Sequence, residues 1–128
     1  AEAKAAMPSA KRVLADMHFA IKQGAVKMAE AQLRIAVAGL AALRAQVAEA
    51  QASEAHAAKQ LKRMEELERH KAISTPLVDE QRNRWEAAKA RLAAAAGKLE
   101  QGEGQVQLEK ARVEQARLEV EEAALRRE

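Results

Sequence analysis

Arg69-His70-Lys71-Ala72-Ile73-Ser74-Thr75-Pro76-Leu77-Val78 decides how the rest of this chain is read. It holds one of only two prolines, and it interrupts an otherwise continuous run of helix-forming residues. Outward on its far side, Val78, Trp85, Leu92, Leu99, Val106, Val113 and Val120 recur every seven residues. On its near side, Leu61, Val47, Leu40, Leu33 and Val26 keep the same spacing, with Glu54 as the single lapse. Paired across the break, the residue numbers add to a constant 146: Leu61 with Trp85, Val47 with Leu99, Leu40 with Val106, Leu33 with Val113, Val26 with Val120. Apolar heptads mirrored about one break predict two helices lying antiparallel along a shared seam. The expected fold is all-α, a long antiparallel two-helix coiled-coil hairpin.

The break carries helix-end chemistry. Ser74 or Thr75 can cap the second helix, and Pro76 suits a first turn, where its missing N–H has no partner to lose. Asp79 and Glu80 complement the positive end of that helix, and Arg69, His70 and Lys71 the negative end of the one before. With Ser74 as the cap, Ile73 and Val78 occupy the two positions of a hydrophobic staple. The predicted layout is arm one over residues 19–68, a tip over 69–75 and arm two over 76–128. At 1.5 Å per residue the arms would span roughly 70 Å.

Residues 1–18 overhang this arrangement. They are either a helical extension of arm one or a short extra N-terminal helix folded onto the open end, with Pro8 and Gly24 as candidate bends. Leu14, Met17, Ile21 and Met28 run in a different phase from the seam. On arm two, Ala111, Leu118 and Leu125 form a second stripe that could receive such a helix or a neighbouring copy. Three residues after each large seam position, arm two carries mostly small ones, and the register sets Leu43 against Gly102. Gly97, Gly102 and Gly104 each cost about 1 kcal/mol of helix propensity, so a softer segment is expected there.

Composition narrows the function. With 33 alanines among 128 residues and only Phe19 and Trp85 aromatic, the core can be no more than a thin seam, which leaves no room for a catalytic pocket. The absence of cysteine removes disulfides, thiolate metal sites and cysteine nucleophiles. His18, His56 and His70 include no pair three or four residues apart, so a helical zinc site is not expected, and Met7, Met17, Met28 and Met64 are scattered. No cofactor and no catalytic residue is predicted. The longest uncharged apolar run, residues 35–43, is far short of the about 20 needed to cross a bilayer. The net charge of +3 is spread along both arms with acids interleaved, which argues against nucleic acid as a partner. Ending within a helical pattern at Glu128, the chain reads as a piece of a longer protein.

Across the break, Arg63, three residues, Leu67, six residues and Ser74 stand at fixed spacing. This pattern resembles the tip motif of the periplasmic adaptor proteins, or membrane fusion proteins, of tripartite efflux pumps and type I secretion systems. The Ala-Glu-Ala-Gln-Leu texture at 29–33 and the Ala- and Gln-rich sequence after Asp79 are similar to that family's descending and ascending arms. The resemblance implies a periplasmic protein, anchored at the inner membrane when full length. It would assemble as a hexamer and join an inner-membrane transporter to a TolC-like outer-membrane channel. Arg63, Leu67 and Ser74 would be the docking residues. Two features depart from the pattern. No stretch reads as the flanking lipoyl or β-barrel domain, and Leu77 stands where a Glu or Gln would complete a capping box. The rival expectations are a generic coiled-coil spacer and a nucleic-acid-binding arm like that of seryl-tRNA synthetase.

Overall fold

The computed structural model describes the backbone of residues 2–128 and the side chains of residues 8–128. Two helices, α1 (Glu2–Arg69) and α2 (Thr75–Arg127), pack against each other as an all-α hairpin. The described residues contain no strand. α1 is unbroken from Glu2 and runs straight through Pro8 and Gly24, so residues 2–18 extend arm one and do not form a separate short helix. Ala1 and the side chains of residues 2–7, Met7 included, lie outside the described residues. α2 likewise continues through Gly97, Gly102 and Gly104, where a softer segment was expected.

The chain divides into two compact units, one made of Ala1–Ala38 with Gly104–Glu128, the other of Gly39–Glu103. In the first, the antiparallel course is marked by ion pairs whose numbers rise on α1 as they fall on α2. Asp16 meets Arg127 at 2.9 Å, Lys22 meets Glu119 at 3.2 Å and Glu30 meets Arg117 at 3.3 Å. Between them, Ala29, Val113 and Ala116 form a small buried cluster against which Val26 and Leu33 pack. Val106 is buried and Val120 half-buried. The guanidinium of Arg127 also lies over the Phe19 ring, 4.4 Å from its centroid. Lys22 holds the Glu119 carboxyl below its ordinary 4.5, through its hydrogen bond first, with Gln115 adding a second.

In the second unit Leu40, Leu61 and Val78 are buried, and Val47, Leu92 and Leu99 half-buried, with Ala57 and Ala88 in the layers between. The alternation of large and small residues has a concrete use at Gly102. A Cβ there would stand 2.5 Å from Leu43 Cδ1 and 3.2 Å from Leu40 Cδ2, so a larger residue would require those leucine side chains to shift. Trp85 is half-buried, and its indole N–H donates to Glu54 Oε1 at 2.9 Å. The single lapse in the arm-one heptad is therefore the acceptor that a packed indole requires. Lys89 stacks on the other side of this ring, 4.2 Å from its centroid.

Candidate functional site

A seam this thin offers only shallow surface grooves, and among the described residues no three His, Asp or Glu side chains gather as a metal cluster. No helix of the described residues is long and apolar enough to cross a membrane. The predicted docking residues lie at the turn, residues 70–74, and on the helix ends beside it.

The turn is built by hydrogen bonds that close one helix and open the next. Ala72 N–H donates to the Leu67 carbonyl at 2.8 Å, and Lys71 N–H to the Glu68 carbonyl at 2.8 Å. This nested pair is the Schellman arrangement, which needs a left-handed residue at its pivot. Lys71 takes that role with φ of 58°, the only non-glycine with positive φ among the described residues. Glycine is the usual occupant, and a side chain held there costs on the order of 1 kcal/mol or more. Beyond it, the Ser74 carbonyl accepts from Leu77 N–H at 3.2 Å and Val78 N–H at 3.5 Å, so Ser74 is the cap and Thr75 the first helical residue. Val78, in the fourth helical position, is the most deeply buried large side chain at 1% exposure, while Ile73 at the opposite staple position is half-buried.

Electrostatics at the helix ends differ from expectation in detail. Only Arg69 lies in the last turn of α1; His70 and Lys71 fall beyond it. The first turn of α2 holds no acidic residue. Asp79 and Glu80 sit one turn later and pair along their own helix, Asp79 with Arg82 at 3.0 Å and Glu80 with Arg84 at 2.9 Å.

Each predicted docking residue is at the surface. Arg63 is exposed and makes no ion pair among the described residues; Glu66, one possible local partner, does not take it. Leu67 stands one helical turn further along the same face with 39% of its surface in water. It is not a seam residue, because half-buried Met64 and Glu68 occupy the inward positions on either side. Ser74 is exposed and stands at the N-cap position, but its hydroxyl makes no hydrogen bond among the described residues, so the side-chain cap expected of it is not formed.

No family model, curated protein or solved structure matches this chain.

Leu77 is a surface residue that the docking pattern omits. It is 47% exposed and, with Met64, Glu80, Gln81 and Arg84, lines a shallow groove of about 230 Å³ beside the turn. Its sequence signal was present, since Leu77 occupies the position where a capping box would place Glu or Gln. A leucine there cannot serve the cap, and about half of its surface stays in water.

Proposed function

We propose that this chain is a docking hairpin, the helical arm of a periplasmic adaptor that meets a TolC-like outer-membrane channel through its turn. In that reading the full-length protein is a hexamer that links the channel to an inner-membrane transporter for efflux or secretion. The observation that carries the reading is the state of Arg63 and Leu67. Among the described residues, a guanidinium without an ion-pair partner and a leucine with over a third of its surface in water sit one turn apart on one face, next to the turn that joins the two helices.

Arg63 can place forked, charge-assisted hydrogen bonds on carbonyls or carboxylates at the ends of partner helices. Leu67 can enter an apolar groove between such helices, and Leu77 widens the apolar contact on the other side of the turn. The free Ser74 hydroxyl adds a short-range donor. Lys71 supports the same reading indirectly, because backbone held in a costly conformation concentrates at sites of recognition.

The test is crosslinking from a probe near His70 to TolC-like channels, with the hairpin presented on a hexameric scaffold to offset weak single-arm affinity. Capture is expected for the native sequence and should fall at least about tenfold for Arg63→Asp, equivalent to about 1.4 kcal/mol. Equal capture by the native chain and by variants at Arg63, Leu67 and Ser74 would reduce the hairpin to a spacer.

A further inference from the structure

The outer face of α1 in the first unit carries a second heptad, complete and unoccupied. Leu14, Ile21, Met28 and Ile35 recur every seven residues, and Met17, Gly24 and Ala31 follow the first three of them by three. This alternating spacing of three and four is the pattern of the intrachain seam itself. Here it faces water, with Leu14, Met17, Ile21, Met28 and Ile35 each between 56% and 74% exposed.

We infer that this stripe is the interface for a second copy of the same chain, with the two α1 helices antiparallel about a two-fold axis at Gly24. The heptad spacing sets the register of such a pair. In the intrachain seam the large residues pair at a sum of 146, as Val26 with Val120, and the small layer at 145, as Ala29 with Ala116 and Leu43 with Gly102. The outer stripe pairs with a reversed copy of itself at the same offset. Leu14 with Ile35 and Ile21 with Met28 sum to 49, while Met17 with Ala31 and Gly24 with Gly24 sum to 48. A surface that complements its own reversal is what a two-fold dimer requires.

Three further observations fit this occupant. A Cβ on Gly24 would meet nothing within 4 Å, as at Gly39, Gly97 and Gly104, so the chain's own packing leaves this position open. On the two-fold axis, its missing side chain lets two helices approach, as Gly102 does in the seam. The charges that flank the stripe, Lys27 and Arg34, fall opposite Ala20 and Val13 of the other copy in this register, so no like charges meet. The five large residues expose on the order of 600 Å² per chain, so full cover by a second copy would bury about 1,200 Å², the lower end for a stable specific interface. Leu118 and Leu125 on α2 are also exposed, but Gln115 and Glu122 interrupt their stripe at the intervening positions.

The inference uses no residue of the turn, and because an antiparallel pair points its two turns apart, this dimer is a state of the chain that excludes the docked ring. Sedimentation equilibrium of the full chain should give twice its 13.9 kDa mass. Ile21→Glu should return it to monomer with helicity unchanged, since that side chain is already in water. Leu118→Glu and Arg63→Asp should leave the dimer intact. Orientation can be read in this cysteine-free chain by mixing Leu14→Cys with Ile35→Cys. A mixed disulfide is expected, and neither variant alone should crosslink to itself. A monomer at every concentration, a dimer that survives Ile21→Glu or is lost with Leu118→Glu, or self-crosslinking of the single variants would each overturn the proposal.

Discussion

Glu54 and Glu109 are both carboxylates set into an apolar seam, one in each unit, and they are treated in opposite ways. Glu54 is half-buried and accepts the Trp85 indole N–H from the facing helix at 2.9 Å. Glu109 is only 4% exposed, and its Oε1 accepts from Gln105 at 2.8 Å and Arg112 at 2.9 Å, both on its own helix. Its Oε2 is buried with no partner. The first carboxylate ties two helices together; the second is answered locally and incompletely, beside a groove of about 270 Å³ lined by Gln32, Ile35, Ala36 and Gln105. A polar residue in a coiled-coil seam thus stabilises or weakens it according to which helix supplies its partner.

The contrast can be broken by substitution. Glu109→Leu removes a buried charge whose second oxygen is unsatisfied and fills the layer with apolar volume. It should raise the unfolding free energy by about 2 kcal/mol, read as a higher urea midpoint. Glu54→Ala should move the midpoint the other way, by about 1 kcal/mol, because it strands the Trp85 N–H. If the two variants shifted stability in the same direction, the distinction between cross-seam and local partners would fail.

The smallest effect concerns a carboxylate outside the seam. Lys22 lowers the pKa of Glu119 in the folded chain, so near 4.5 the unfolded chain binds more protons there. The stability from this pair is fully present above 4.5 and is lost as pH falls through the lowered value. Glu119→Gln should therefore lower stability slightly near neutrality, make little difference in strong acid, and flatten the curve where pH falls through the lowered value. The Glu119 side chain is partly exposed, so salt should erase much of the difference.

Periodicity carried most of the fold. The seam heptads, their mirrored sums and the opposition of Leu43 and Gly102 depend on spacing alone, and spacing is visible in a sequence. The turn was bounded by Ser74 and Pro76 for the same local reason. Hidden features were those in which a residue type departs from its usual place. Lys71 occupies a position that sequence reasoning assigns to glycine, so the Schellman closure left no signal. Glu54 read as a lapse because its meaning lies 31 residues away in Trp85. The phase of Leu14, Met17, Ile21 and Met28 was legible, but its exposure was not, since a different phase is equally consistent with a third helix packed upon it. The residues proposed for docking were chosen from their spacing, whereas the availability of Arg63 depended on which of the nearby acids it would pair with.

The short turn also governs how the chain's entropy is spent on closing the hairpin. Its bonds span three to five residues, while Trp85 reaches back 31 to Glu54, Lys22 reaches 97 to Glu119 and Asp16 reaches 111 to Arg127. The cost of closing a loop grows only with the logarithm of its length, about 0.6 kcal/mol for each doubling. Closed in order from the turn, each layer also finds its helices already aligned by the one before, and its own increment is small. The difficult event is the first, in which Lys71 enters its left-handed conformation and Val78 finds cover. After that the helices join as a zipper does, and added heptads at the open end would cost little to close.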